Sequence, residues 1–168
     1  VHDNTFRGRN YDAYPHFFVY LKRKFPNACT GSFVDWEPID TYIVRAADVR
    51  KVRPASSKDS LEQKDKMLAG EAVQFLTQQN PHAVFVYFGQ VDEVGHRDGF
   101  HPSVPSYLQA LHTVDAHVAS LVKAIQSRPE YLAENWLVVI STDHGGRGRK
   151  HRGGHDVPEI VTTFLVVS

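Results

Sequence analysis

Residues 83–99 read AVFVYFGQVDEVGHRDG. The first six are apolar and β-prone without a break, which is the pattern of a strand buried on both faces. The chemistry changes at Gly89, and Asp92, His96 and Asp98 follow within ten residues. Parallel sheets gather functional groups beyond the carboxyl ends of their strands. The stretch therefore predicts a buried strand that hands an aspartate and a histidine to a site in the loop over 89–102.

The same arrangement recurs downstream. Residues 137–140, LVVI, form a second apolar run, and residues 142–156 read TDHGGRGRKHRGGHD. That loop holds Asp143, His144, His151 and His155 among glycines, a composition that no core segment would have. Between the two runs, 106–126 carries Leu108, Leu111, Val114, Val118, Leu121, Val122 and Ile125 on one stripe, which predicts an amphipathic helix. A second long helix is predicted up to Gln79, capped by Ser57 or Ser60 and closed by Asn80-Pro81. A short helix over 14–25 ends in Lys22, Arg23 and Lys24, cations suited to a helix C-terminus. Short strands are expected over 29–34 and 163–167, and 45–57 reads as charged and turn-rich. Strands alternating with helices predict an α/β fold with a largely parallel sheet.

Composition bounds the rest. The chain has 168 residues, the size of one domain, and 42% are apolar, enough for a core. Nineteen basic and nineteen acidic residues cancel, so no charge excess argues for a nucleic-acid polymer or a membrane surface. The cluster Arg147, Arg149, Lys150 and Arg152 is local and suits a small anion. The single cysteine, Cys29, excludes an internal disulfide and a thiolate zinc site, and leaves the compartment open. No apolar run reaches the roughly 18 residues of a membrane span. The chain begins Val1-His2-Asp3-Asn4 without Met, which reads as a piece of a longer protein.

Carboxylate and imidazole are the usual non-thiolate ligands of zinc and also suit manganese or iron. Two Asp/His sets behind two buried strands can hold two cations, which together clamp the attacking and leaving oxygens of a phosphoryl transfer. A single histidine beside a glycine would read only as a polar loop residue. Asp98 reads as a cap, His101, His112 and His117 as surface residues, and His16 and His82 as structural.

These residues resemble the alkaline phosphatase superfamily, and within it the type I phosphodiesterase/nucleotide pyrophosphatase group. Asp92 to His96 matches a D-x-x-G-H pattern, Asp143 to Gly146 matches D-H-G-G, and 158–167 resembles the strand that follows the last histidine ligand. The resemblance implies a three-layer α/β/α sandwich over 1–168, incomplete on its N-terminal side. It implies two divalent ions, zinc foremost, with Asp92, His96 and one further histidine on the first and Asp143 and His144 on the second. His151 and His155 both fit the further position. Asn4 matches the asparagine that donates to a phosphate oxygen. The Thr or Ser nucleophile and one metal-binding Asp of the group are expected upstream of Val1, so the chain alone is expected to be inactive.

For the intact protein the resemblance implies hydrolysis of small phosphate esters, phosphodiester or pyrophosphate bonds foremost, through a covalent phosphoryl-enzyme. It favours an exported location, periplasmic or extracellular. Phosphomonoesterase, sulfatase and mutase activities of the same superfamily remain alternatives, as does a non-catalytic metal-binding fragment. A sheet lacking its first strand would expose an apolar face, which predicts self-association.

Overall fold

A computed structural model describes residues 4, 6–53, 56–152 and 156–168. Its centre is a parallel sheet of three strands, β1 (Thr30–Val34), β2 (Val49–Val52) and β3 (Ala83–Tyr87), with β1 between the other two. The register sets Val34 opposite both Val52 and Tyr87. Every residue of β1 is buried, as a strand with neighbours on both edges and layers on both faces must be.

The two faces of the sheet are visible in the alternation of its side chains. Phe33 packs with Leu68, Ala72 and Phe75 of α2 (Leu61–Gln78), against Val84, Val86 and Leu121. Val34 packs on the opposite side with Phe18 of α1 (Phe17–Lys24) and with Ile39 and Val44, against Phe85 and Tyr87. The second long helix, α4 (Pro105–Gln126), lies against α2. Helices on both faces of a parallel sheet make the α/β/α arrangement.

The N-terminus of α2 forms as its residues dictate. The Ser60 hydroxyl accepts from the Gln63 N–H at 3.2 Å, and the Gln63 side chain accepts from the Ser60 N–H at 2.9 Å, a reciprocal capping box. At its C-terminal end, the Arg128 guanidinium bonds to the carbonyls of Leu76 and Gln79 and pairs with Glu134. Carbonyls left open by the helix are thereby satisfied.

Three sequence expectations are corrected. The loop over 89–102 contains a helix, α3 (Gln90–Asp98). Its acidic first turn (Asp92, Glu93), its basic last turn (His96, Arg97) and the φ of +126° at Gly99 are helix signals at both ends. The turn-rich stretch 45–57 contains β2, an edge strand with Arg50 and Lys51 exposed, so its charges are those of an edge and not of a loop. The third correction concerns β4 (Val139–Ser141) and β5 (Leu165–Val167), which pair with each other antiparallel as a separate ribbon. The link between them is spent on the histidine loop and on α5 (Pro158–Val161), which at four residues is too short to cross over a sheet. The ribbon is not the buried layer its apolar residues predict: Val139 is 55% exposed and Leu165 67%.

Leu68 is fully buried between α2 and the sheet. Leu68→Ala is expected to cost about 3 kcal/mol through lost burial and a residual cavity. Ser60→Ala is expected to cost about 1 kcal/mol. Urea denaturation of the two variants beside the parent checks both values and their order.

Candidate metal centre

Asp92 and His96 lie one turn apart on α3, so they share a face of that helix. The His96 Nε2 is 3.6 Å from Asp92 Oδ1. Two histidines from the loop after β4 converge on the same oxygen: His151 Nε2 at 3.8 Å and His144 Nε2 at 4.0 Å. Asp92 Oδ1 is shielded from solvent and has no hydrogen-bond partner. Asp143 lies beside them, its Oδ2 3.7 Å from His144 Nε2, and is exposed.

The tautomers follow from the partners. His96 Nδ1 is 3.0 Å from the Arg149 carbonyl oxygen, and His144 Nδ1 is 2.8 Å from that of Gly145. A carbonyl can only accept, so each Nδ1 donates. In the neutral rings this leaves the Nε2 lone pairs free, and both face Asp92. Burial first, and then the neighbouring His144, hold His151 below the ordinary imidazole range. That favours its neutral form, which is the ligating one. The His144 and His151 rings stack with centroids 3.9 Å apart, and His96 lies 4.8 Å from His151.

One apolar side chain joins the two loops. Phe100 packs edge-on against His96 at 5.3 Å and against His151 at 6.3 Å between ring centroids. A Cβ on Gly95 or on Gly146 would overlap its ring. These two glycines form a notch, one side from α3 and the other from the D-H-G-G segment. The Phe100 N–H donates to the Gly148 carbonyl at 2.7 Å. Gly148 sits in the tight turn between Arg147 and Lys150, where φ is +59°. The cations of that turn, Arg147, Arg149 and Lys150, are exposed.

The expected residues thus divide. Asp92, His96, Asp143, His144 and His151 are brought together. Of the two candidates for the further histidine, His151 lies with Asp92 and His96, while His155 lies outside the described residues. Asn4 occupies an exposed turn, and no described interaction ties it to the cluster. Val1, His2 and Asp3 are also outside the described residues. Asp98, read as a cap, caps no helix amide: it is the last residue of α3, pairs with Arg97 at 2.8 Å and accepts from the Ser106 hydroxyl at 2.6 Å. His82 is structural, its Nδ1 accepting from the Cys29 N–H at 3.2 Å. His117 departs from its surface reading and packs on Phe88.

Sequence reasoning missed Tyr87, Tyr107 and Phe100. Burial first, then the carboxylates of Asp143, Asp35, Asp92 and Asp65, raise the Tyr87 phenol above the ordinary tyrosine range, so it stays a donor at neutral pH. Tyr107 is raised the same way by burial and Asp92. The signal for Tyr87 was its place at the carboxyl end of β3. Among the described residues, Asp92, His144 and His151 form a set able to hold a metal ion, with one ligand atom from each lying within 4.8 Å of the others.

Comparison with known proteins gives the family and the fold. The family model described as type I phosphodiesterase/nucleotide pyrophosphatase matches residues 6–153. Among solved structures, murine ectonucleotide pyrophosphatase/phosphodiesterase 5 is similar, with a TM-score of 0.50 and 20% identity over 76% of this chain. An inactive variant of the same murine protein in complex with AMP matches with the same values. The chain spans 32% of the length of those structures. No curated protein matches the sequence.

Gly146→Ala is expected to cost about 1–3 kcal/mol, because the new methyl displaces Phe100. Adding Phe100→Leu should recover part of that loss, so the double variant falls short of the sum of the single ones. Thermal denaturation of the three variants checks the coupling.

Proposed function

The chain belongs to the type I phosphodiesterase/nucleotide pyrophosphatase family, and we propose that its Asp/His cluster is the metal centre of a phosphate-ester hydrolase, acting foremost on phosphodiester or pyrophosphate bonds. One observation carries the reading. A solvent-shielded carboxylate oxygen without a donor is costly, and Asp92 Oδ1 is such an atom, facing three imidazole nitrogens. Two of these nitrogens are lone-pair sites by their tautomers. Divalent cations bound there would satisfy this oxygen and the imidazole lone pairs together, so the residues fit the group that the family implies.

The proposed ligands are Asp92, His96 and His151 for one ion, with Asp143 and His144 for a second, and with His155 as the substitute for His151. A nitrogen and oxygen set of this kind suits Zn2+, and Mn2+ or iron also. Bound there, divalent ions would supply Lewis-acid charge at the phosphoryl oxygens.

The chain's own residues supply the rest. The carbonyls of Arg149 and Gly145 hold His96 and His144 in the ligating tautomer. Phe100 walls the cluster and excludes water from one side. Tyr87 offers a protonated hydroxyl at the end of β3. Arg147, Arg149 and Lys150 lend positive charge on the open side, where an anionic phosphate would enter. Asn4 is proposed as a donor to a non-bridging oxygen. The attacking Thr or Ser hydroxyl is proposed to come from outside these 168 residues. An exported location is supported by the name of the murine protein, an ectonucleotide pyrophosphatase.

The test is elemental analysis of the dialysed protein beside Asp92→Ala and His96→Ala. Roughly one tightly held ion per chain is expected in the parent and none in the variants. Equal metal in all three would overturn the assignment. Assays of the intact protein on a chromogenic phosphodiester, a phosphomonoester and a sulfate ester then separate the reaction classes, and the diester is expected to be turned over fastest.

The exposed apolar ribbon of β4 and β5 is proposed as a self-association face. Light scattering is expected to show mass rising with concentration, and Leu165→Lys to suppress the rise. A mass that stays monomeric throughout would refute it.

A further inference from the structure

We propose that Asp35 and Asp65 share one proton as a buried carboxyl pair and, through it, position α3, the helix that carries Asp92 and His96. Only the consequence for metal binding rests on the function proposed above; the pair and its hold on the helix do not.

Asp35 follows the last residue of β1, and Asp65 lies in the second turn of α2. Both are buried, at 6% and 0% exposure. They converge on one backbone nitrogen: the Gly89 N–H donates to Asp35 Oδ2 at 2.9 Å and lies 3.4 Å from Asp65 Oδ1. The next amide, Gln90 N–H, donates to Asp65 Oδ2 at 3.0 Å. Gly89 is the residue before α3 and Gln90 its first, so the two carboxyls cap the helix. The open amides of a helix N-terminus and its positive end favour a negative group there. Gly89 itself offers no capping side chain, and a Cβ at this position would overlap Asp35 Oδ2.

Two ionised carboxylates cannot both occupy such a site without a large repulsion. The remaining oxygen, Asp35 Oδ1, is buried without a donor. A proton on Asp65, directed at Asp35, removes both problems. The surroundings choose that side. Lys64 on α2 and the Gly89 N–H favour the charged form of Asp35, while the charge of Asp35 itself disfavours that of Asp65. Tyr87, facing from β3, is a neutral phenol, and α3 contributes the Gly89 and Gln90 amides. Burial first pushes Asp35 up to about 6, and burial with the Asp35 charge pushes Asp65 up to about 8.

The sign of the pH effect follows. A carboxyl whose folded value is raised contributes stability that is complete below its ordinary range and is lost as pH rises through the folded value. The hold on α3 should therefore weaken as pH rises from the ordinary carboxylate range and be lost by about 8. Asp65→Asn removes the titration and keeps the contacts, since its amide can donate to Asp35 while its carbonyl accepts from Gln90. Asp35→Asn removes the neighbouring charge and moves the Asp65 titration down.

The experiment is hydrogen–deuterium exchange of the α3 amides in the metal-free chain across pH, with rates expressed as protection factors. In the parent, protection is expected to fall by up to roughly tenfold for each pH unit between the ordinary carboxylate range and about 8, and to level off above that. Asp65→Asn should hold it flat, and Asp35→Asn should shift the fall to lower pH. An infrared band of a protonated carboxylic acid at neutral pH, absent from Asp65→Asn, should accompany this, and it keeps the test decisive if a variant fails to fold. Absence of that band from the parent, or an Asp65→Asn profile that follows the parent's, would overturn the proposal. Zinc titration of the same samples separates the two readings. No zinc bound by the parent at any pH would count against the metal centre alone, and zinc binding with α3 protection indifferent to both variants would count against the carboxyl pair alone.

Discussion

The pairing of β1 with β3 is the constraint on which the site depends. Parallel strands in register bring like ends together, so Val34 opposite Tyr87 sets the carboxyl ends of two strands side by side. From one end comes Asp35, and from the other Tyr87 and the turn into α3. Everything α3 carries inherits its position from that register. A slip of one residue would move Phe33 and Val34 to opposite faces and strand both halves of the core. The strand is buried in every residue, so the register is held by packing on both sides.

From this fixed end the Asp/His cluster is assembled by three kinds of contact. Helix periodicity sets Asp92 and His96 on one face. Backbone carbonyls of the second loop fix the rings of His96 and His144. Phe100, seated in the notch of Gly95 and Gly146, fastens the loop to the helix. None of these contacts involves a charge on the basic turn, which leaves Arg147, Arg149 and Lys150 exposed on the open side. Within one short segment, backbone atoms support the cluster while the cationic side chains stay exposed.

The sequence made several of these features readable for stated reasons. An unbroken apolar run, 83–88, announces the strand β3, whose side chains pack into the cores on both faces while staying half-buried. Ser57 and Ser60 both announce a helix start, and the structure caps α2 with Ser60. The Asp and His residues stand out because glycine-rich loops after buried strands have no structural need of them. Less was legible where the signal was shared between two structures. The pattern Val91 to Asp98 carries too few apolar residues to declare a helix by periodicity, and its end charges are the only local clue. The apolar residues of β4 and β5 look like core, yet hydrophobicity does not say whether a covering layer lies within reach.

The residues alone determined which ligand types gather after the apolar runs 83–88 and 137–140, because residue type and hydrophobic patterning are local properties of the chain. They also determined the family, since its motifs are contiguous. Only the tertiary structure decided that His144 and His151 turn toward the same oxygen of Asp92, that Phe100 locks the loops together, and that Asp35 and Asp65 meet beneath Gly89. Each joins residues that are distant in the chain, and a pairing of that kind exists only once the sheet register and the helix packing have brought its two halves within bonding distance.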